Sequence, residues 1–328
     1  MATADQVKAL IRSHADGDDT RFYAIAIQVA AQAARSGHGK FAQELRELVD
    51  QVKARASAIG PVQGAKPVPL AQPRGELAGL LTVAYPKTRL VDMALTDALR
   101  SRLDRVLVEQ RQRDRIREHG FAPMRKLLLV GPPGTGKTMT AAALAGELGL
   151  PLFNIQLDGL ITKYMGETAA KLRLVFDAIQ STRGVYLFDE FDALGGERGS
   201  KNDVGEIRRV LNSFLQFLEQ DESDSVVLGA TNHVSLLDRA LFRRFDAVLE
   251  YELPTADIAA RVMRARLGLL DTSAIDWAQT PQLAQSLSHA EIAMACEQAA
   301  KNAILNHSTA IRDSELALAL EERRSTHA

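Results

Sequence analysis

Hydrophobic and polar positions along the chain follow two different patterns, and the change between them lies near Pro123. Before it, apolar residues recur every three or four positions, a spacing typical of amphipathic helices. Breaks at GDD (17–19) and SGHG (36–39) divide the first part into three such segments. The pattern predicts a small helical bundle over residues 1–56, which serves either to bind a partner or only to pack and oligomerise.

Two further segments lie before the change of pattern. Residues 57–76 are rich in proline and glycine and poor in large apolar residues, which indicates an extended linker. An arginine-rich helical region follows from about Met93 to Glu118. Because Arg100 and Asp104 stand four residues apart there, the charges indicate a solvated helix face rather than a nucleic-acid surface.

After Pro123, short apolar runs alternate with helical segments. Such runs are typical of buried parallel strands, and the helices between them predict right-handed crossovers. The runs are KLLLV (126–130), LFNIQ (152–156), GVYLF (184–188), SVVLGA (225–230) and AVLEY (247–251). The sequence therefore predicts an α/β domain over residues 77–253. The helical pattern of residues 254–328 predicts a separate helical subdomain.

Composition narrows the class of protein but not its function. Of 328 residues, 46% are hydrophobic and 25% are charged, and a net charge of -1 gives no reason to expect nucleic acid as a partner. Cys296 is the only cysteine, which excludes an intrachain disulfide and fits a reducing compartment. The sequence shows no signal-peptide pattern and no apolar run long enough to cross a bilayer. We therefore expect a cytoplasmic protein without a membrane partner.

The first predicted strand runs directly into GPPGTGKT (131–138), and a helical pattern follows. Glycines let backbone N–H groups surround an anion, and the helix dipole points at the same place. This combination predicts a phosphate-binding loop (P-loop) for a nucleotide, with Lys137 at the β- and γ-phosphates and Thr138 on Mg²⁺. The residues predicted to bind the nucleotide are Gly131, Pro132, Pro133, Gly134, Thr135, Gly136, Lys137, Thr138, Met139 and Asp189.

Three polar side chains follow later strands. Asp189 and Glu190 come directly after VYLF, and Asn232 ends the motif GATN. Ligands bind at the carboxyl ends of parallel strands, so Asp189 is placed to hold Mg²⁺ through water and Glu190 to activate the attacking water as general base. The amide of Asn232 can position that water or contact the γ-phosphate. An asparagine that only caps the strand end would give the same pattern.

Together these motifs resemble the AAA family of ATPases. The segments GPPGTGKT, LFDEFDAL, GATN and ALFRRFDAVLEYELP carry the resemblance, which covers about residues 85–325, and RRF is similar to the katanin and spastin clade. The resemblance implies a P-loop NTPase three-layer sandwich with a parallel five-stranded sheet in the order 5-1-4-3-2, a C-terminal helical lid and a ring, usually a hexamer. It assigns Asp189 and Glu190 to the Walker B motif and Asn232 to the sensor.

The segment LFRRFD contains two adjacent arginines, Arg243 and Arg244, whose role the residues alone leave open. Neighbouring side chains point in different directions, so one arginine can pair with Asp246 while the other faces water. The resemblance implies instead that Arg243 and Arg244 are arginine fingers. In that role they stabilise charge on the γ-phosphate held by a neighbouring subunit.

The resemblance also assigns two loops outside the nucleotide site. The segment LITKYMGETAAKLRLVF (160–176) is similar to the family's axial pore loop. Lys163, Tyr164 and Met165 would there grip an extended polypeptide, because an amphipathic ring packs on any backbone. Without the resemblance, the preferred interpretation is that Tyr164 packs under the helical lid. The charged loop 195–206 is either a second pore loop or a plain connection.

Three segments depart from the family pattern. EQDESD (219–224) replaces the family's Asp-Gly, and SHAEI (288–292) replaces SGADI. No DVAG-like stretch precedes the P-loop, and residues 89–97 are expected to form the adenine pocket instead. His289 either contacts adenosine or, in the preferred interpretation, caps the helix together with Ser288.

The leading hypothesis is that ATP hydrolysis drives unfolding, remodelling or threading of a protein substrate through a homo-oligomeric, hexameric ring. The N-terminal bundle is similar to that of bacterial AAA ATPases that accompany subtilisin-like proteases. That similarity adds a partner protease, and a role in bacterial defence, to the expectations. Two alternatives stay open: a nucleotide-switched scaffold that binds a partner through the bundle, and a DNA-remodelling ATPase. No basic domain or helix-turn-helix pattern favours the latter, so nucleic acid is not an expected partner.

Overall fold

A computed structural model describes residues 75–160, 165–190, 203–233 and 242–325, together with Val29, Gln43 and Pro73. Contacts divide the chain into two units, Met1–Pro67 and Val68–Ala328. The predicted bundle of residues 1–56, apart from two positions, and most of the linker 57–76 lie outside the described residues. All strands with described bounds belong to the second unit.

Six strands form one mixed sheet in this unit. Their bounds are β1 Leu81–Ala84, β2 Lys126–Val130, β3 Leu152–Ile155, β4 Val185–Phe188, β5 Val226–Thr231 and β6 Ala247–Glu250. They lie side by side in the order β1-β3-β4-β5-β2-β6. All neighbouring pairs are parallel except β1 with β3, which is antiparallel. The five predicted strands are therefore present, with ends that differ by at most one residue.

The sixth strand, β1, corrects the prediction of a five-stranded sheet. It lies at the edge, where Leu81 pairs with Ile155, and only the first of its four residues is buried. A strand of this kind alternates in exposure and lacks the continuous apolar run that identifies the buried strands. Its short sequence, LTVA, was therefore not recognised.

Nine α-helices lie in the described part of the chain. They are α1 Asp97–Arg111, α2 Arg113–Glu118, α3 Lys137–Leu148, α4 Leu157–Leu160, α5 Met165–Ser181, α6 Asp203–Gln220, α7 Ala256–Leu267, α8 His289–Leu305 and α9 Asp313–Ser325. Short 3-10 helices span Gly75–Gly79, Leu90–Asp92 and Thr280–Ala284. The helix expected from about Met93 begins at Asp97 instead, because the Thr96 hydroxyl caps it by accepting from the Leu99 amide.

Hydrophobic clusters cover both faces of the sheet. Successive residues of a strand point to opposite faces, so Leu128 and Val130 pack with α5 and α6 while Leu127 and Leu129 pack with α1 and α3. Strands β4 and β5 are buried along their whole length. The result is a layer of helices on each side of a buried sheet, the α/β arrangement that the apolar runs predict.

The described residues after Pro254 form α7, α8, α9 and the last 3-10 helix, with no strand among them. These helices enclose a hydrophobic cluster of their own. Cys296 lies in it, and burial raises the pKa of its thiol to about 12, so the thiol stays protonated. The position of this helical part matters for function because the N-terminus of α8 contacts the loop after β2.

Candidate functional site

The loop between β2 and α3 depends on glycine at three positions. Gly131, Gly134 and Gly136 have φ angles of 146°, 72° and 101°, in the region that L side chains rarely adopt. A Cβ on Gly131 would lie 2.2 Å from the carbonyl oxygen of Tyr251, and a Cβ on Gly134 would lie 2.5 Å from Ser288 Oγ. The loop is therefore packed between the end of β6 and the start of α8.

Lys137, the first residue of α3, places its side chain inside this loop. The residue is 6% exposed, and Nζ donates to the carbonyl oxygens of Gly131 and Pro132, each at 2.7 Å. The ammonium group thus lies where the dipole of α3 also stabilises an anion. A bound triphosphate would replace these carbonyl contacts with phosphate oxygens.

Thr138 and Asp189 meet although they belong to different elements. Thr138 Oγ1 donates to Asp189 Oδ2 at 2.7 Å, which joins the first turn of α3 to the end of β4. Hydroxyl and carboxylate oxygens are the ligands that Mg²⁺ takes from proteins, with phosphate and water oxygens completing the shell. The two residues predicted to bind the metal therefore fit a magnesium ion.

Glu190 follows Asp189 in a left-handed backbone conformation, with φ at 51°. Its amide donates to Asp189 Oδ1 at 3.0 Å, and the residue itself is exposed. A residue with a side chain seldom adopts this conformation, and such positions cluster at functional sites. The geometry fits the predicted general base, because the carboxylate stands beside the magnesium ligands and is open to water.

Asn232 completes the carboxyl edge of the sheet. It follows Thr231, whose carbonyl oxygen accepts from the Gly131 amide at 3.3 Å, so Asn232 stands next to the start of the P-loop. Its strand, β5, lies between β2 and β4. Because parallel strands end at one edge, the fold brings Asn232, Lys137 and Asp189 together from three separate segments.

A cavity of about 340 Å³ lies beside the P-loop. Thr135 lines it, as do Ala94 and Leu95 from the segment predicted to form the adenine pocket. The C-terminal helices close the cavity: Arg261 Nη1 donates to the carbonyl oxygen of Leu95 at 2.9 Å, and His289 Nε2 lies 3.1 Å from that of Ala94. Its position beside the P-loop fits the nucleoside end of a nucleotide, which keeps residues 89–97 as the predicted adenine pocket.

The N-terminus of α8 corrects the preferred interpretation of His289. Ser288 Oγ accepts from the Glu291 amide at 3.3 Å, and Glu291 Oε2 accepts from the Ser288 amide at 2.6 Å. This reciprocal pair is a complete capping box without His289. The histidine ring instead faces Ala94 and lines the cavity.

Tyr251 is a site residue that the sequence analysis missed. Its hydroxyl lies 2.5 Å from Thr140 Oγ1, and burial raises the pKa of Tyr251 well above its usual range. The residue also lines the cavity and limits the space at Gly131. The available signal was a tyrosine at the carboxyl end of a predicted strand, the edge where α/β sheets bind ligands.

The amino edge of the same sheet carries the two arginines. They precede β6, whose first residue, Ala247, pairs with Leu127 near the start of β2. Asp246 Oδ2 accepts from the backbone amides of Arg125 and Lys126 at 2.8 and 2.9 Å. Among the described residues Asp246 has no ion pair with either neighbouring arginine, so the interpretation based on such a pair is wrong.

Arg244 and Arg243 have different surroundings. Arg244 Nε lies 2.7 Å from Glu219 Oε1 at the end of α6, but the oxygen is off the N–H axis, so the contact is an ion pair rather than an aligned hydrogen bond. These two side chains are 38% and 49% exposed. Arg243 is exposed, and the described residues give it no ion pair.

The segment 219–224, which departs from the family pattern, contacts Arg244 through Glu219 and is held in place by two further ion pairs. Asp221 pairs with Arg125 at the start of β2, and the two side chains are 0% and 11% exposed. Asp224 pairs with Arg117 of α2 at 2.5 Å, beside a second, polar cavity of about 540 Å³. The segment is therefore held at the amino edge of the sheet, away from the P-loop of its own chain.

The length of β2 separates the arginines from the P-loop of their own chain. Its five residues, at about 3.3 Å each, span about 16 Å. The arginines precede the strand that pairs with the start of β2, whereas the P-loop follows its end. That distance exceeds the reach of one side chain, so neither arginine can contact a phosphate bound at its own P-loop.

The predicted pore loops lie largely outside the described residues. Lys163 and Tyr164 are not described, and Met165 is described only as the first residue of α5. Residues 195–202 of the second loop are not described either, and α6 begins at Asp203. The gripping role of these residues stays a prediction.

Comparison with known proteins decides the family. The profile of the ATPase family associated with various cellular activities (AAA) matches residues 127–253. The uncharacterized AAA family ATPase y4kL of Sinorhizobium fredii is 33% identical over 322 residues, which cover 98% of this chain and 96% of that protein. The chain belongs to the AAA family of ATPases. The resemblance seen in the motifs is confirmed, and with it the binding and hydrolysis of ATP.

Two further AAA relatives share only part of their length with this chain. ATP-dependent zinc metalloprotease FtsH 1 of Methylacidiphilum infernorum is 34% identical over 255 residues, 75% of this chain and 40% of its own. Meiotic spindle formation protein mei-1 of Caenorhabditis elegans is 32% identical over 212 residues, 62% of this chain and 45% of its own. The chain thus spans less than half the length of each.

Every helix in the described part of this AAA ATPase is too short or too polar to cross a bilayer. The same residues contain no group of three or more His, Cys, Asp or Glu side chains that could hold a metal ion.

Proposed function

We propose that this AAA ATPase hydrolyses ATP between the subunits of a ring and uses the energy to remodel or thread protein. The observation that carries the proposal is the position of Arg243 and Arg244 at the sheet edge opposite the P-loop. One chain holds two halves of a hydrolytic site that cannot meet within it. A ring, hexameric by family resemblance, joins the amino edge of one subunit to the carboxyl edge of the next and completes each site.

Within one subunit, each residue at the carboxyl edge has a defined task. Lys137 and the backbone amides of residues 134–139 bind the phosphates, since Pro132 and Pro133 have no N–H to donate. Thr138 and Asp189 hold Mg²⁺, the latter through water. When bound, the ion supplies positive charge that neutralises the phosphate oxygens. Glu190 accepts a proton from the attacking water, and Asn232 orients that water.

The neighbouring subunit supplies the remaining charge. Arg244 and Arg243 stabilise the negative charge that develops on the transferring γ-phosphoryl group. A guanidinium suits this task because it is always charged and presents several donors in a rigid fork. Two adjacent arginines point in different directions, so one can contact the phosphate while the other binds the surface around it.

The proposal also names a protein as the substrate of the ring. It is supported by the name of the relative FtsH 1, an ATP-dependent protease, and by the pore-loop pattern at Lys163, Tyr164 and Met165. Residues 1–56 would bind a partner or substrate. A subtilisin-like protease as partner and a cytoplasmic location belong to the same proposal.

The experiment that tests shared sites mixes two inactive variants. Glu190→Gln lacks the general base but keeps its arginines, whereas Arg244→Ala keeps the base. Each variant alone should be inactive. Random mixing in equal amounts should restore activity at about one quarter of the interfaces, those that pair an intact base with an intact arginine.

The control for this mixture is the double variant Glu190→Gln/Arg244→Ala, which should rescue neither single variant. ATP turnover of each mixture is measured at a fixed total protein concentration. Absence of rescue, with both single variants shown to assemble with ATP, would contradict a site shared between subunits.

Tyr164 tests whether hydrolysis is coupled to threading. Tyr164→Ala should stop ATP-dependent unfolding of a tagged, loosely folded protein substrate while basal ATPase activity remains. Tyr164→Phe, which keeps the ring, is the matched control and should keep both activities. Unfolding by Tyr164→Ala at the normal rate would favour a nucleotide-switched scaffold.

A further inference from the structure

The hydroxyl group of Tyr251 begins a chain of hydrogen bonds that ends in the P-loop. It lies 2.5 Å from Thr140 Oγ1, in the first turn of α3. Thr140 Oγ1 in turn donates to the carbonyl oxygen of Gly136 at 3.1 Å. Gly136 is the last glycine of the P-loop and the N-cap of α3. The chain therefore joins the residue that follows β6 to the point where the P-loop becomes a helix.

Each hydroxyl has a single proton, which fixes the direction of the chain. A carbonyl oxygen only accepts, so the Thr140 proton points to Gly136. Thr140 Oγ1 then accepts from Tyr251, and burial raises the pKa of Tyr251, so that the phenol keeps its proton at neutral pH. In the opposite direction, the Tyr251 proton would have no acceptor among the described residues.

Water has little access to either hydroxyl. Thr140 is 0% exposed and Tyr251 is 4% exposed. Met93 packs against the same place: its Sδ lies 4.0 Å from Thr140 Oγ1, and a Cβ on Gly136 would lie 3.4 Å from its Cε. Removal of one hydroxyl therefore leaves its partner without a replacement from solvent.

Tyr251 also contacts the opposite end of the P-loop, through its backbone. Its amide donates to the carbonyl oxygen of Val130 at 2.7 Å. Its own carbonyl oxygen would lie 2.2 Å from a Cβ on Gly131, the first glycine of the loop. One residue thus holds the first glycine by its backbone and, through Thr140, the last glycine by its side chain.

The contact at Gly136 decides where the next amide points. A peptide unit is planar and trans, so the Gly136 carbonyl and the Lys137 N–H point in opposite directions. The carbonyl points along α3, where it accepts from the Thr140 amide at 2.9 Å as well as from the Thr140 hydroxyl. The Lys137 N–H is therefore directed out of the N-terminus of α3, the place where such a loop binds phosphate.

We propose that Tyr251 and Thr140 are positioning residues for phosphate binding, which hold the peptide unit between Gly136 and Lys137 so that its N–H meets the phosphates of ATP. Gly136 needs this support because its φ angle of 101° belongs to a residue with the widest choice of backbone conformations. The inference rests on the proposed binding of the phosphates at the P-loop and adds two side chains that act on them through Gly136.

The test measures the affinity of the full-length protein for ATP and ADP, in a Glu190→Gln background that prevents turnover. Thr140→Val keeps the branched shape but lacks the hydroxyl, and should lower both affinities by about five- to tenfold, the effect of losing one hydrogen bond. Thr140→Ser keeps the hydroxyl and should bind both nucleotides normally. Unchanged affinity in Thr140→Val would overturn the proposal, and an equal loss in Thr140→Ser would assign the effect to the methyl group and contradict it.

Tyr251→Phe tests the other end of the chain. It keeps the ring that lines the cavity and removes only the hydroxyl. It should lower both affinities by about threefold, because Thr140 still bonds to Gly136 but is no longer oriented by a donor. In the Thr140→Val background the same change should cause no further loss. An additional threefold loss there would show that Tyr251 acts on the nucleotide independently of Thr140.

Stability separates positioning from a purely structural role. Thr140→Val leaves the Tyr251 hydroxyl buried without an acceptor and should lower the urea midpoint, whereas Tyr251→Phe/Thr140→Val removes both partners and should recover most of it. The affinity for ATP should not recover in this double variant, because Gly136 still lacks the hydroxyl donor. Recovery of affinity together with stability would show that these bonds only stabilise the fold.

Tyr186→Phe is the matched control, because it removes a buried phenol hydroxyl in β4 rather than beside the P-loop. This hydroxyl donates to the carbonyl oxygens of Ala178 and Thr182 at 2.9 and 2.8 Å. The control should lower the urea midpoint and leave both affinities unchanged. A fall in ATP affinity similar to that of Tyr251→Phe would show that binding follows overall stability, which would overturn the proposal.

Failure of the phosphate placement would look different. Lys137→Ala should abolish binding of both nucleotides. If Lys137→Ala binds ATP normally, the P-loop assignment is wrong. If it does not, and Thr140→Val keeps its full affinity, only the inference about Tyr251 and Thr140 is overturned.

Discussion

The two edges of one sheet differ in how they hold their charged side chains. At the carboxyl edge, Lys137 is buried in a loop of glycines, and Asp189 is hydrogen-bonded to Thr138. At the amino edge, Arg243 is exposed and Arg244 has a partly exposed ion pair with Glu219. The first half of the site is organised within one chain, whereas the second faces outward, as suits groups that act on another subunit.

The turn that carries the two arginines is nevertheless held in place by hydrogen bonds and an ion pair. Asp246 accepts from two backbone amides of β2, and Asp221 and Arg125 form a buried ion pair next to it. The turn before β6 is therefore fixed to β2, while Arg243 is exposed and the Arg244 side chain is partly exposed. Preorganised charge of this kind is effective in catalysis because little rearrangement is needed during the reaction.

The largest effect is expected from a substitution at the carboxyl edge, in the P-loop. Lys137→Ala removes the ammonium group at the centre of the P-loop and should abolish ATP binding, measured by titration with a fluorescent ATP analogue. Lys301→Ala, at an exposed position of α8, removes the same charge elsewhere and should bind normally. Unchanged affinity in Lys137→Ala would show that the nucleotide binds elsewhere.

The next largest effect is expected from a substitution at the amino edge that leaves the P-loop intact. If Arg244 acts as an arginine finger, Arg244→Ala should lower kcat by about 10³- to 10⁵-fold and leave ATP affinity unchanged. Turnover and binding are measured separately, with the exposed Arg105→Ala of α1 as control. If ATP binding were lost together with turnover, Arg244 would contribute to ground-state binding rather than to hydrolysis alone.

The third prediction concerns the buried ion pair of Asp221 and Arg125, which lies next to the turn that carries the two arginines. Asp221→Ala leaves the buried Arg125 guanidinium without its carboxylate partner, and only the backbone carbonyl oxygen of residue 221 then remains as its acceptor among the described residues. It should lower the free energy of unfolding by about 3–5 kcal/mol. Urea unfolding of the full-length chain measures the change. Asp104→Ala, which breaks the exposed pair with Arg100, should cost about 1 kcal/mol or less. A similarly small effect at Asp221 would mean that water reaches the Arg125 side chain.

The smallest effect is expected from the ion pair between Glu219 and Arg244, and it tests how weakly Arg244 is held within its own chain. Glu219→Gln removes the carboxylate beside Arg244 and should lower kcat by about fivefold at most, since exposed ion pairs are weak. In an Arg244→Ala background the same change should have no further effect, which a double-mutant cycle measures. Glu222→Gln, exposed and three residues away, is the matched control. An additive loss would show that Glu219 acts independently of Arg244.

Much of the carboxyl edge was predictable because its signals are local. GPPGTGKT between a strand and a helix specifies a phosphate loop, and residues after buried strands reach the same edge in any parallel sheet. The strand β1 and the role of Tyr251 were not predictable, since both depend on contacts between distant segments. His289 was misinterpreted because its neighbours, Ser288 and Glu291, complete the helix cap without it.

The sequence by itself determined the α/β architecture, the P-loop and the two adjacent arginines of LFRRFD, because periodicity and short motifs encode these features within a few residues. Only the tertiary structure decided where that pair lies. Asp246 bonds to the start of β2, about 16 Å of strand away from the P-loop. It also decided that His289 faces Ala94, 195 residues earlier in the chain. Pairing of distant segments is set by the packing of the whole domain, and no local pattern records it.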